Sequence, residues 1–445
     1  MARASSDPNN LTGRPMMAGE VEGERAPEAL PEDALEPEKA PPGAFGILRN
    51  RDFRLFWIGA CVSFIGSWVQ MIAMGLMVYQ MTHSKQWLGV IGLVGGLPTT
   101  ALMLFGGVIA DRVNKRTLVI VTQSLFALTA CLLALLKWTN TIHIWHIIAL
   151  SFVNGLVFAI DGPARQAMIY DLVGKDDLAS GVALQSAAFN VARIVGPAIG
   201  SLLYAGFGPG WCFFLNGVSF VAIIFAILLI RTDLTRRGEA QGSVWLGFIE
   251  GYRYLQSNSI MRSVVLLTGA TSLFAFSIYA TLMPALSQEM LGVGENDTRY
   301  GFLFSAIGAG SVAGAFLVGR AARRGSRGLL MMAGANMFAI ALFALSRTGN
   351  LYFALICFSA IGLAAISQLA TANTLTQSLA PEHLRGRAVS AHMFAMSGLQ
   401  PFGAMLGGAV AQRFGVPNAL AAGAIVFWLC TLSLMFFRPD VAKLE

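Results

Sequence analysis

"GGVIADRVNKRTLVI", residues 106–120, sets one acid and three bases between two apolar stretches. Residues 87–110 and 117–136, on either side of the charges, carry no charged side chain. About 20 residues cross the roughly 30 Å of bilayer hydrocarbon, so both flanks read as membrane-spanning helices. Asp111, Arg112, Lys115 and Arg116 then occupy a tight turn between two spans. The rest of the chain follows this pattern. Only 12% of its residues are charged and 55% are hydrophobic, whereas a soluble domain carries about 25% charged residues.

Twelve spans are expected, at 53–80, 87–110, 117–137, 143–164, 180–206, 210–230, 263–288, 299–319, 328–346, 351–373, 388–413 and 417–437. The fold class is therefore an all-α integral membrane protein. Residues 1–48 read as a disordered tail: "GEVEGERAPEALPEDALEPEKAPPG" has no aromatic residue and too little apolar surface to offset ordering. Residues 49–230 form a first set of six spans and 263–437 a second. The linker 231–262 contains "VWLGFIEGYRYLQ", which reads as a helix lying on the membrane surface. Residues 438–445 are a short C-terminal tail.

Lys and Arg concentrate on the cytoplasmic side of multi-span proteins. With the N-terminus inside, 21 of them fall at cytoplasmic ends and loops and 5 on the other side, leaving aside four in the tail and Arg193. Both termini are thus expected in the cytoplasm, and the net charge of +7 is a topology signal. It calls for no nucleic-acid partner. The five cysteines all lie in apolar runs without a CxxC pair, so they read as small buried hydrophobes, and no metal site is expected. No GxxxxGK[ST], HExxH or GxSxG pattern occurs. Neither an enzyme nor a cofactor is expected.

The halves repeat. A shift of 207 residues lays "VGPAIGSLLYAGFG" (195–208) on "FGAMLGGAVAQRFG" (402–415), and pairs Gly155 with Gly362 and Leu172 with Leu379. Two six-span repeats entering from the same side describe parallel bundles with a site between them near the midplane. "GAFLVGRAARRGSR" (314–327) echoes the opening stretch, with its bases kept and its acid lost.

These residues carry a resemblance. "GGVIADRVNKR" resembles the signature loop of the major facilitator superfamily, and "ARIVGPAIGS" (192–201) resembles the Gly-Pro motif of its drug and proton antiporters. Residues 50–82, "DGPARQAMIYDLV" (161–173) and "LRGRAVSAHMFAMSGLQPFG" (384–403) resemble its bacterial branch holding the enterobactin exporter and macrolide efflux proteins. The likeness extends over about residues 49–437. It departs at Ala192 and Ser201, where the motif has Gly, and at the missing acid of the second loop. The resemblance implies two pseudo-symmetric six-helix bundles, alternating access, and spans 1, 4, 7 and 10 lining a central cavity. It also implies that Asp111 faces the start of span 11.

On that basis Gly107, Asp111, Arg112, Lys115, Arg116 and Asp161 are the expected cytoplasmic gate, with Asp161 paired to Arg112 or Arg116. The alternatives are a solvated basic loop for the cluster and a proton-coupling carboxylate for Asp161. Gly196, Pro197 and Gly200 clear one face of span 5 and bend it, either as ordinary helix packing or as a contact that moves. Arg193 is the charge deep in a span, where insertion costs at least about 2.5–3.5 kcal/mol. It reads as a cavity residue, or as one bound to carbonyls. Trp68, Gln70, Asn154, Asn190 and Phe274 join it as cavity candidates, as do Tyr279, Gln368, Asn373, Met396 and Gln400; helix packing is the alternative for each. His392 and Glu289 complete the proton-coupling candidates with Asp161; otherwise His392 is a structural group and Glu289 a solvated one.

The expected function is a monomeric secondary transporter of a bacterial inner membrane. It would export amphipathic small molecules (drugs, siderophores or related metabolites) by proton antiport, with substrate, protons and the lipid bilayer as its partners. An importer on the same scaffold, a lipid flippase and a non-transporting receptor are the alternatives.

Overall fold

The computed structural model describes residues 46–232, 253, 255–322 and 327–444, with backbone alone at 103–112, 321–322 and 383. The described residues form twelve long helical segments. In the first repeat these are α1 (Arg51–Thr82), α2 (Lys85–Arg112), α3 (Lys115–Trp138), α4 (Ile144–Val173), α5 (Leu178–Phe207) and α6 (Pro209–Leu229). The second holds α7 (Ser259–Glu289), α8 (Arg299–Ala322), α9 (Arg327–Leu345), α10 (Leu351–Leu379), α11 (residues 385–414) and α12 (Val416–Phe437). Ten of them are long and apolar enough to cross a membrane. Of the other two, α2 and α11, α11 has no α-helical stretch longer than the 15 residues of Gln400–Phe414.

The helix ends are set by side-chain caps. Asn50 Oδ1 accepts from the backbone N–H groups of Asp52 and Phe53 at 3.0 and 3.1 Å and starts α1. Asn114, Asn258 and Asn350 cap α3, α7 and α10 in the same way. Such caps and the turns beyond them lie outside the apolar run, so several helices overshoot the expected spans. The largest overshoot is in α4, expected to end at 164 and observed to reach Val173. Two helices carry π-helical turns: Thr271–Phe276 in α7 and Phe394–Gly398 in α11. They touch, with Ser272 Oγ donating to the Met396 carbonyl.

Within each bundle, small residues set the approach. Gly155 of α4 lies against the Gly95 carbonyl of α2, and its repeat partner Gly362 of α10 lies against the Ile307 carbonyl of α8. A side chain at either position would collide with backbone. Asp52 ties the start of α1 to the end of α6, accepting from the Arg231 and Thr232 N–H groups at 3.0 and 2.8 Å.

Two boundaries differ from the sequence reading. Residues 46–49, of which 46–48 were expected to belong to the tail, form a 3-10 turn with Ile47 buried. The C-terminal tail is a second such turn, Pro439–Lys443: Val441 is buried, and the Leu444 carbonyl accepts from the Gly328 N–H at 2.9 Å. An apolar residue inside a charged segment pins each turn to the bundle. The N-terminal tail up to residue 45 and most of the expected surface helix at 244–256 lie outside the described residues.

The bundles meet along α2–α11 and α5–α8. Gly89 and Gly92 of α2 face Ala404 of α11, and Gly96 faces Pro401. Gly301 of α8 faces Pro197 and Ala198 of α5, while Gly308 faces Ile194. These contacts lie toward the face opposite the one that holds residues 46 and 444, called here the terminal face.

Candidate functional site

At the opposite face a polar clasp joins the bundles. Lys85 Nζ at the start of α2 lies 2.6 Å from Glu289 Oε1 at the end of α7. The Tyr79 hydroxyl of α1 donates to the same oxygen. The Lys85 N–H donates to Gln412 Oε1 of α11 at 2.9 Å, and Gln80 Nε2 donates to the Glu295 carbonyl at 2.8 Å. Tyr204 of α5 holds Gln80 in place through a 2.6 Å bond. Glu289, expected to be solvated or a proton carrier, is a bridging acid. Spacing along one helix could not show this, because its partners come from the other repeat.

The Gly-Pro motif lies beside the same interface. Gly196 admits the Trp68 side chain of α1 against α5, and Gly200 faces the backbone of Val69. One residue on, Pro197 meets Gly301 of the other bundle. The repeat-related Gly403 and Gly407 face α7, while Gly408 beside them meets Lys85 and Gly89 of α2. Both copies therefore pack one face within their own bundle and the next against the opposite bundle.

Part of the basic cluster lies among the described side chains. The surroundings of Gly107, Asp111 and Arg112 lie outside the described side chains. Lys115 pairs with Asp171 of α4 at 2.7 Å, both largely buried. Arg116 donates to the carbonyls of Ile227, Leu228 and Ile230, the last turn of α6, at 2.8–3.0 Å. Unpaired carbonyls at a helix end attract a cation there. Asp161 does not pair with Arg116. Its partner is Arg165 on the next turn of α4, 2.8 Å away. Thr122 Oγ1 and Gln123 Nε2 donate to its other oxygen at 2.6 and 2.7 Å. With α4 running on to Val173, Asp161 is three turns from the helix end. Arg165 also stacks over the Phe64 ring, 5.4 Å from its centroid. These interactions all lie within the first bundle.

Between the bundles, at the middle of α5, stands Arg193. It is half-buried, its Nε has no hydrogen-bond partner, and Tyr279 of α7 lies nearby. Tyr279 itself is packed among Phe276, Phe338 and Phe358. Trp68 and Phe189 line the same stretch of α1 and α5, with ring centroids 6.0 Å apart. Further polar atoms are buried without partners: Gln185 Oε1 on α5, Gln288 Nε2 on α7, and Gln368 Oε1, Thr371 Oγ1 and Asn373 Oδ1 on α10. Gln368 Nε2 is satisfied by Thr271 of α7. His392 of α11 is fully buried with neither ring nitrogen hydrogen-bonded. Buried polar groups normally have a partner.

Four expected cavity residues turn elsewhere. Gln70 accepts from Asn216 of α6 at 2.9 Å, and Asn154 accepts from Thr129 of α3 at 2.8 Å. Asn190 and Gln400 donate to carbonyls of their own helices. An amide inside a span takes the nearest partner, and here that is a neighbouring or its own helix. Gln185, Gln288 and Thr371 were missed; polar side chains inside spans were the available signal.

A family model described as transmembrane secretion effector matches residues 42–444. Among curated proteins, the staphyloferrin A transporter of Staphylococcus aureus is 23% identical over 393 residues, covering 88% of this chain and 97% of its own. The enterobactin exporter EntS of Escherichia coli is 26% identical over 401 residues, covering 87% and 93%. Two solved structures share the fold. The nucleoside transporter NupG matches at TM-score 0.72, with 11% identity and 87% and 99% of the two chains covered. An inward-facing bacterial homologue of the human lysosomal transporter Spinster matches at 0.66, with 16% identity and 88% and 96% covered. With the signature loop, the Gly-Pro motif, the doubled six-helix architecture and the family match over nearly its whole length, the chain belongs to the transmembrane secretion effector family, multi-pass membrane transporters of the major facilitator superfamily.

Proposed function

We propose that the protein exports an amphipathic small molecule with anionic or polar groups, a siderophore or drug-like compound, in exchange for protons. The supporting observation is Arg193. A guanidinium at mid-helix with an unsatisfied Nε, set between Tyr279 and the Trp68–Phe189 wall, suits an anionic group attached to an aromatic or apolar body. The names of two relatives, an enterobactin exporter and a staphyloferrin A transporter, agree with that chemistry.

The excess of basic residues supports a terminal face in the cytoplasm of a bacterial inner membrane, with both chain ends inside. The clasp then closes the outer mouth, and the described state loads substrate from within. Asp111 and its basic neighbours latch the inner mouth in the alternate state. Each closure contributes a few kcal/mol at most, because the states must interconvert. The domains move as 49–230 and 263–437, and the transporter works as a monomer.

Proton coupling falls to His392. Asp161 is committed to Arg165. Glu289 has the wrong sign: a proton taken up from outside would neutralise the acid of the clasp, which must re-form on return. His392 has no competing ionic partner among the described contacts, and it stands two residues before the π turn of α11 with both ring nitrogens free of hydrogen bonds.

The test uses everted membrane vesicles and a panel of siderophores and toxic compounds. The expected result is accumulation on acidifying the vesicle interior, weakened at low substrate concentration by Arg193→Ala and uncoupled from pH by His392→Gln. Accumulation of nothing on the panel, or uptake in the opposite sense, would overturn export by antiport.

A further inference from the structure

Helices α6 and α12 hold the same place in the two repeats, and each follows a glycine at positive φ, Gly208 at 80° and Gly415 at 84°. Counted from those glycines, Phe213, Asn216 and Phe220 correspond to Leu420, Gly423 and Phe427, and all six are buried. Toward the terminal face the correspondence ends. Ser219, Ile223 and Ala226 are buried, while their counterparts Val426, Cys430 and Ser433 are exposed.

The cause is a difference in packing. In the first repeat Gly59 of α1 lets Ile223 and Ala226 of α6 come into contact. In the second, α7, α11 and α12 splay apart around a cavity of about 1410 Å³. Leu266, Leu273 and Phe274 of α7 line it, with Phe394 of α11 and Leu429 and Phe437 of α12. Its deep end reaches the two π turns and Pro163 of α4 in the other bundle. Such turns often mark functional sites. Its volume exceeds the roughly 300–1,000 Å³ of ordinary small-molecule pockets.

Depth and charge identify the occupant. Along α11 the lining runs from Arg387 to Leu399, about 18 Å at 1.5 Å per residue. That is close to one leaflet of hydrocarbon, about 15 Å. The walls are apolar, and Leu266 and Phe437 are 63% and 73% exposed. At the terminal face the lining ends in two arginines, Arg387 and Arg438. Arg438 is held by Ser259 Oγ at 2.5 Å and Asp440 at 3.1 Å, which fixes its guanidinium at the rim and offsets part of its charge. An apolar shaft one leaflet deep under a cationic rim is complementary to an acidic lipid.

We propose that this wedge binds an anionic phospholipid from the leaflet at the terminal face, with its acyl chains between α7, α11 and α12 and its phosphate at Arg387 and Arg438. The bound lipid fills in the second repeat the volume that helix packing fills in the first. The site does not depend on which molecule the transporter carries, or on which side of the membrane the terminal face lies.

The test is photolabelling of the full-length protein in liposomes with phosphatidylglycerol bearing a diazirine on its acyl chain, followed by peptide mapping. Label is expected on residues 426–437 and 265–274 at several times the level on the α6 counterpart, residues 219–229. A phosphatidylcholine probe should label them several-fold less. Ser433→Phe should displace the label, and Arg387→Gln with Arg438→Gln should remove the headgroup preference. Equal labelling of α6 and α12, or equal labelling by the two lipids, would overturn the proposal. These two comparisons use the unmodified protein and stand even if a variant fails to fold. Label appearing only after residues 233–252 are replaced by a flexible spacer would assign the wedge to the protein's own linker, and would overturn it too.

Discussion

Lys85 and Glu289, 2.6 Å apart, join α2 of one bundle to α7 of the other. Their side chains are 18% and 34% exposed. Solvent screening therefore keeps the pair near the upper end of the surface range, about 1 kcal/mol. Glu289→Gln should shift the balance between closed and open outer mouths about fivefold toward open. A cysteine placed beside Arg193 and probed with a membrane-impermeant thiol reagent from the outside would read the shift. Unchanged accessibility would mean that the glycine contacts of α2 and α11 carry the closure alone.

Arg193 should matter through its charge. A charge-assisted hydrogen bond contributes about 1.5–3 kcal/mol, so Arg193→Ala should raise the KM for an anionic substrate about 10- to 100-fold. Arg193→Lys should recover part of the loss, since a cation returns without the planar fork. Transport assays in proteoliposomes distinguish the outcomes. Equal KM values across all three proteins would place Arg193 among the structural residues.

The Arg438 guanidinium beside Asp440 holds that carboxyl below its ordinary range. A carboxyl depressed in the folded chain stabilises it above the unfolded value, and that contribution is lost as pH falls through the folded value. Docking of the C-terminal turn on Gly328 should therefore weaken below about pH 4, the ordinary carboxylate range, and hold at neutral pH. Hydrogen exchange at the Gly328 amide, corrected for intrinsic rate, would report it. Asp440→Asn should flatten that pH dependence, and a pH dependence retained in the variant would exclude Asp440 as its source.

The helices and the repeat were legible because hydropathy runs along the chain and glycines mark the closest approaches. Gly155 and Gly362 were paired by a constant shift and perform the same contact in each bundle. Rotation of one helix against another was not legible. It decides that Gln70 faces Asn216 and not the central cavity, and that Glu289 meets Lys85. Where a helix stops beyond the apolar run was also hidden, and that displaced Asp161 from the loop to the interior. The wedge beside α12 was invisible for a related reason: its lining is as apolar as any packed surface, and only the missing neighbour distinguishes it.

Asp161 and Arg165 provide the sharpest contrast between a latch and a structural pair. Both side chains are under 10% exposed, on the same face of α4. Asp161 is further held by Thr122 and Gln123, so the carboxylate is satisfied only while it is charged and paired. Removing one member strands the other, which costs about 3–5 kcal/mol in a buried site. Arg165→Met should thus lower the thermal midpoint in detergent by several degrees, and Asp161→Asn with Arg165→Met should restore much of it. A latch residue would behave differently, because a broken latch changes the balance of states and leaves the bundle intact. Full stability of Arg165→Met with altered access from the terminal face would return Asp161 to the gate.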